Sequence, residues 1–294
     1  MKNNLQPKGL TISMIFEADS ANYGESVGNV ASLKKMTRDK GEQYTYISRQ
    51  AIRYNIVDQL GEKLAPVNAE GSGDKKVIQF SKDATIEDYP ELDFFGYLKT
   101  EKSTGGKKRS AKVRLSNAIS LETFKGDLDF LTNKGLADRI NENMNIAQSE
   151  IHRSYYRYTI VADLEQIGID EVYNIEIDNK EKIRRVHKLL DTIAFLYRDI
   201  RGRREDLKPI FAIGGVYDIK NPVFENALNV KDNRLVVKQI EGVMFDVFKE
   251  ETVCGLVEGK FDYDNEIKEK LNALSMPEFF NELKSRVKDY YEGK

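Results

Sequence analysis

Six consecutive residues carry the clearest chemical spacing in the chain: Ser48-Arg49-Gln50-Ala51-Ile52-Arg53. Ser48 precedes a helical pattern with Ile52, Ile56 and Leu60 on one face, so its hydroxyl is placed to accept an early backbone N–H as a cap. Arg49 and Arg53 then share a face near the positive end of the helix dipole. A capping hydroxyl, early N–H groups and two guanidinium forks suit a bound phosphate. A helix with solvated arginines has the same spacing, so the residues alone leave both readings open.

Three other groups are basic or aromatic enough to matter. Lys34–Arg53, which includes Lys34, Lys35 and Arg38, carries a net charge of +4. Lys99–Arg114, which includes Arg109, carries +6 and reads as a glycine-containing loop suited to a phosphate backbone. Arg201, Arg203 and Arg204 follow a helix end in greater number than a dipole needs, which favours anion binding. The run 152–160 alternates, with Arg153, Tyr155 and Arg157 on one face. Such a face suits stacked bases and phosphates, but strand tyrosines are more often half-buried packing than nucleic-acid platforms.

Catalytic signatures do not emerge. Gly105-Gly106-Lys107-Lys108 fails as a phosphate loop, because Glu101 and Lys108 stand where glycine and Ser or Thr are required. No Gly-x-Ser-x-Gly elbow occurs. One cysteine, Cys254, and two histidines, His152 and His187, exclude a disulfide framework and argue against thiolate or histidine-rich metal sites. No catalytic residue, metal or cofactor is expected.

These groups need elements to hold them. Leu10, Ile12, Met14 and Phe16 alternate as a strand with one buried face. A polar stretch, Glu17–Glu42, reads as a long loop, followed by the helix after Ser48. The segment from Gly61 to Asp93 is loop-like, Val113–Leu121 is a weaker strand, and Lys125–Glu150 turns polar. Arg153–Leu164 reads as a strand, Lys182–Arg201 as a helix and Pro209–Tyr217 as a central strand, with helical patterns at Asn265–Leu274 and Pro277–Tyr291. The order strand, helix, insertion with weak strands, strand, helix, strand suits an α+β, ferredoxin-like sheet.

The 294 residues carry a net charge of −2, yet Glu241–Lys294 alone carries −5, so the charge is dipolar along the chain. No apolar run is long enough for a membrane helix, and MKNNLQPKGL lacks a signal-peptide core, so the expected location is the cytoplasm.

The first strand, Asp19–Gly41 and Ile47–Arg53, then Asp93-Phe94-Phe95-Gly96-Tyr97, Ser116-Asn117-Ala118-Ile119-Ser120 and Tyr155-Tyr156-Arg157-Tyr158, follow one another in a familiar order. Together they resemble the backbone subunit of type I CRISPR-associated surveillance complexes (Cascade), most closely the DevR-like branch associated with type I-B. The resemblance spans Gly9–Gly215.

It implies an RRM-like palm over residues 1–294, with a main insertion at 61–150, a thumb at 125–150, fingers, and a C-terminal extension at 220–294. It implies a noncatalytic subunit that polymerises head to tail along CRISPR RNA beside other Cascade subunits. Target DNA would be read by guide pairing and cut by a recruited nuclease-helicase. Ser48, Gln50 and Arg53 occupy the family's Ser-x-Gln-x-x-Lys/Arg positions, which contact guide-RNA phosphate. Arg49 stands where many relatives have serine. The expected RNA contacts are therefore Lys34, Lys35, Arg38, Ser48, Arg49, Gln50 and Arg53, with Arg109, Arg201 and Arg203 secondary. Related type III subunits cleave RNA with an early-loop aspartate, which makes Asp19 and Asp39 the candidates for a rival metal-dependent ribonuclease. A third alternative, transcriptional autoregulation, finds no helix-turn-helix pattern.

Overall fold

The computed structural model describes residues 6–38, 40–70, 76–100 and 106–294. Its frame is a nine-stranded sheet built around β1 (Gly9–Ala18). The other strands nearest the core are β2 (Glu42–Ile47), β3 (Val113–Leu115), β4 (Ala118–Ser120), β5 (Ser154–Asp163), β6 (Phe211–Tyr217) and β7 (Val253–Leu256). β1 lies between β5 and β6, β4 pairs with the far side of β5, and all of these pairings are antiparallel. The elements β1, α1 (Arg49–Gln59), β4, β5, α2 (Asn179–Ala194) and β6 reproduce the expected strand and helix order.

Leu10, Ile12, Met14 and Phe16 point to one side of the sheet, where they pack with Ile52 and Ile56 of α1 and Val186, Leu190 and Ile193 of α2. A third helix, α3 (Met276–Glu292), adds Phe279, Leu283 and Val287 to the same core. Burial on one face was expected for β1, but both faces are covered. Thr11, Ser13 and Ile15 are also buried, because the C-terminal extension lays Phe224, Leu228, Val237, Phe248 and Phe261 over the second face.

That covering decides between the two readings of this face in favour of packing for Tyr155 and Arg157, while Arg153 stays exposed. Tyr155 is buried, stacks on Phe261 at 5.6 Å and donates its hydroxyl to Asn233 Oδ1. Arg157 donates to the Leu228 carbonyl at 2.6 Å. Tyr156 and Tyr158, on the opposite face, belong to the helix-side core.

The segments read as loops contain short strands. Glu17–Glu42 holds strands Tyr23–Val27, Val30–Leu33 and Lys35–Arg38. The first two join the hairpin Asp127–Thr132 and Ile146–Ile151 in a separate four-stranded sheet, with Val30–Leu33 parallel to Ile146–Ile151. Lys35–Arg38 instead pairs with β2 at the edge of the large sheet. Their glycines and polar residues lack alternating hydrophobicity; two of them pair with neighbouring strands, and Val30–Leu33 is completed by a partner more than a hundred residues away. The insertion at 61–112 contains hairpin Val67–Glu70 with Val77–Phe80, the short helix Pro90–Phe95, and hairpin Tyr97–Lys99 with Lys107–Arg109. Ala65, Ala84, Ile86, Tyr89, Leu92 and Tyr97 give it a small core of its own.

Candidate nucleic-acid interface

Helix α1 begins as the sequence predicts. The Ser48 hydroxyl accepts from Ala51 N at 3.3 Å, and buried Ile52 and Ile56 fix the helix against the sheet. That orientation leaves Arg49, Gln50 and Arg53 exposed. Two asparagines hold the turn before the helix. Asn22 Oδ1 accepts from Ser48 N at 2.6 Å, and Asn117 Oδ1 accepts from Arg49 N at 2.9 Å. The Arg53 guanidinium stands 5.6 Å from the centre of the Phe95 ring, within cation–π range.

Arg49, Gln50 and Arg53 line a cavity of about 420 Å³ with Phe95, Val113 and Arg114. Among the described residues no carboxylate lines it. Three guanidiniums around a partly apolar hollow repel one another and present planar donor forks to a shared anion. Such a set of side chains can hold an anion, and three of the residues expected to touch RNA, Arg49, Gln50 and Arg53, line the cavity, with Ser48 next to them in the chain.

Lys34 joins this region through Asn22. The Lys34 N–H donates to the Asn22 backbone carbonyl at 2.7 Å, the Asn22 N–H to Tyr46 O at 3.2 Å, and the Tyr46 N–H to Lys34 O at 3.1 Å. The Lys34 side chain is exposed. Arg38 is half-buried, with its guanidinium 5.8 Å from the Tyr44 ring.

Lys35 is differently placed. Its Nζ donates to Glu150 Oε2 at 2.5 Å and lies 4.2 Å from the Phe124 ring. The same Glu150 oxygen accepts from Leu33 N at 2.7 Å, so this ion pair fastens the root of the 127–151 hairpin. Arg201 approaches that root, 4.3 Å from the Tyr23 ring, and the Tyr23 hydroxyl donates to Glu150 O. Arg203 donates to Ser20 Oγ at 3.0 Å. The expected arginine loop is a hairpin, Tyr197–Ile200 with Arg203–Asp206, in which Arg204 is paired with exposed Asp199.

Arg109 is a correction. Its side chain is only 4% exposed and its Nη2 lies 2.6 Å from Asp93 Oδ1, a carboxylate with no exposure. Asp93 also accepts from Arg185 Nη1 and Gly168 N. Arg109 is therefore held inside the fold through Asp93, which also binds Arg185 of α2, and cannot reach an external phosphate. Lys99 is likewise buried, donating to the carbonyls of Lys82 and Ala84. The high positive count of this segment is in part internal charge: Arg109 is paired with Asp93, and Lys99 is held by backbone carbonyls.

Asn22, Asn117 and Arg114 were missed in the sequence. Arg114 sits at the end of the basic run already counted, while no local pattern marks either asparagine, because their partners lie 26 and 68 residues away.

Of the ribonuclease candidates, Asp39 lies outside the described residues. Asp19 has its carboxylate 3.9 Å from Arg153 Nε. Among the described residues no group of three or more His, Cys, Asp or Glu is disposed to hold a metal ion. His152 is buried, with Nδ1 2.7 Å from Thr45 Oγ1, and burial holds it below the usual imidazole range. The Cys254 thiol is buried and pushed up to about 12.

A family model described as "CRISPR-associated negative auto-regulator DevR/Csa2" matches residues 10–236. The chain belongs to the DevR/Csa2 family. The matched span takes in the capped helix, the arginine-lined cavity and both asparagines. The fold is similar to a chain of a solved "CRISPR RNA-guided surveillance complex, pre-nicking", with a TM-score of 0.59 and 12% identity over 95% of this chain and 100% of that one. A chain of another "CRISPR RNA-guided surveillance complex" aligns with a TM-score of 0.52 and 16% identity over 94% and 98%. No curated protein matches the sequence. In this DevR/Csa2-family chain, residues after 236 lie beyond the family match, although they pack on the sheet and the structural alignments span nearly the whole chain.

Proposed function

We propose that this chain is a noncatalytic backbone subunit that binds guide RNA in a CRISPR surveillance complex of type I. The observation that carries the reading is the carboxylate-free cavity of Arg49, Arg53 and Arg114, set beside a capped helix start in a DevR/Csa2-family chain. Such a cavity grips phosphate without reading bases, which suits a protein that leaves sequence recognition to guide pairing with target DNA.

Ser48, Arg49, Gln50 and Arg53 contact the RNA backbone, with Lys34 and Arg38 beside them and Arg201 and Arg203 near the hairpin root. The four-strand arrangement β6–β1–β5–β4 serves as the RRM-like palm, and the 127–151 hairpin as the thumb. The acidic C-terminal region and basic N-terminal half favour head-to-tail contact between copies, which forms an open filament when the rotation does not close. Other Cascade subunits cap the assembly, a recruited nuclease-helicase cuts the target, and type I-B is the branch.

The test is recovery of RNA from the protein coexpressed with a guide array and its neighbouring proteins. Guide-derived, nuclease-protected RNA in a multi-copy particle is the expected result. An RNA-free monomer under those conditions refutes the reading. Adding complementary RNA and magnesium to the particle addresses cleavage: intact RNA is expected.

A further inference from the structure

We infer that Arg114 is the third guanidinium of the anion site formed by Arg49 and Arg53, and that Asp163 holds it in the free protein until an RNA phosphate takes the carboxylate's place. The inference rests on the RNA-binding reading above and adds to it a residue and an exchange step.

Arg114 reaches the cavity from β3, whereas Arg49 and Arg53 come from α1, so the site is completed only when the sheet brings the two elements together. Of the three, Arg114 alone has a carboxylate partner among the described residues: its Nη1 lies 2.7 Å from Asp163 Oδ2. Among the described residues neither Arg49 nor Arg53 forms an ion pair. Asp163 does not line the cavity.

The ion pair has the properties of a replaceable contact. The Arg114 side chain is 51% exposed, so moving it toward the cavity strips away little water. Solvent reaches the pair from the arginine side only, since the Asp163 side chain is 13% exposed, so the pair is screened in part. Phosphate offers the guanidinium the same two-oxygen geometry as a carboxylate, with two further arginines to share its charge. Asp163 keeps one cation after the exchange, Lys220, whose Nζ stands 3.8 Å from its other oxygen and is shared with Glu165. Release therefore costs one ion pair whose carboxylate is mostly buried, and the return is a phosphate held from two elements of the fold.

Titration of the full chain with fluorescein-labelled single-stranded RNA, across a salt series, tests the inference. Arg114→Gln is expected to bind about tenfold more weakly, with the slope of log affinity against log salt reduced by about 0.7. Asp163→Asn is expected to bind about threefold more tightly, because Arg114 no longer has to be taken from a competitor. Wild-type affinity and slope in Arg114→Gln, with Arg53→Gln weakened, overturns the inference and leaves the RNA reading standing. Weaker binding in both Arg114→Gln and Asp163→Asn also overturns it, since loss of the ion pair alone then accounts for the result. No RNA binding by the wild-type chain removes the underlying reading as well.

Discussion

The side-chain oxygen of Asn22 accepts the backbone N–H of Ser48 at 2.6 Å, joining a residue of the early polar segment to the cap of the helix that carries Arg49 and Arg53. The Asn22 backbone carbonyl accepts from Lys34 N in addition, so one residue sets the position of two basic groups relative to each other. Asn22→Ala leaves a half-buried N–H without its partner and is expected to cost about 1 kcal/mol. Weaker RNA binding should accompany that loss. Asn22→Asp keeps the acceptor and should recover stability in chemical denaturation, but its charge beside the arginines should keep RNA affinity low.

Lys34 and Lys35 are neighbours in sequence with different surroundings, and reversing each charge should separate them. Lys34→Glu acts on an exposed side chain and is expected to weaken RNA binding and flatten its salt dependence, with an unchanged melting temperature. Lys35→Glu sets a second carboxylate against Glu150 at the hairpin root and is expected to lower the melting temperature as well. Equal melting temperatures for the two variants would contradict these assignments.

Arg109→Met should act on folding and not on RNA. Removing one partner of the buried Arg109–Asp93 pair leaves Asp93 with Arg185 and Gly168 alone, at an expected cost of about 3–5 kcal/mol. Denaturant titration reads that loss. The affinity of the remaining folded protein for RNA should equal that of wild type, whereas a selective fall in affinity would return Arg109 to the interface.

Stability should decline below neutral pH through His152 and His187. Burial, the largest cause for both, holds each imidazole below its ordinary value, so the fold favours the neutral ring. A depressed folded-state pKa contributes stability that is complete above the unfolded value of about 6.5 and is lost as pH falls from there through the folded value. His152→Asn, which keeps a polar atom facing Thr45, should show a shallower decline in melting temperature between about pH 5.5 and 7 than wild type. Parallel curves would exclude His152 as a contributor.

Gly215→Ala tests the close approach of the segment before β7 to the central sheet. A Cβ at Gly215 would meet the Glu251 carbonyl and the Tyr217 ring, neither of which can move without disturbing the packing of the extension. The expected loss is about 1–3 kcal/mol in denaturant titration. A variant as stable as wild type would show that this contact gives way freely.

Much of the frame was legible in the amino-acid sequence because its signals are local. Alternation along Leu10–Phe16, the Ser48 cap with Ile52 and Ile56 behind it, the helical spacing of Val186, Leu190 and Ile193, and the apolar run 211–217 each lie within a few residues, and the structure keeps each of them. The identity of the charged groups was legible too, but their use was not. Whether an arginine faces solvent depends on what the chain brings against it from far away: Asp93 removes Arg109, Glu150 engages Lys35, and the extension covers Tyr155 and Arg157. The strand Val30–Leu33 was hidden for the same reason, since its pairing is completed by the remote segment Ile146–Ile151, whereas Lys35–Arg38 pairs locally with β2 but lacks an apolar alternation to mark it. Local periodicity thus determined which elements form, while long-range pairing of backbone and charge decided which of their side chains remain free to bind.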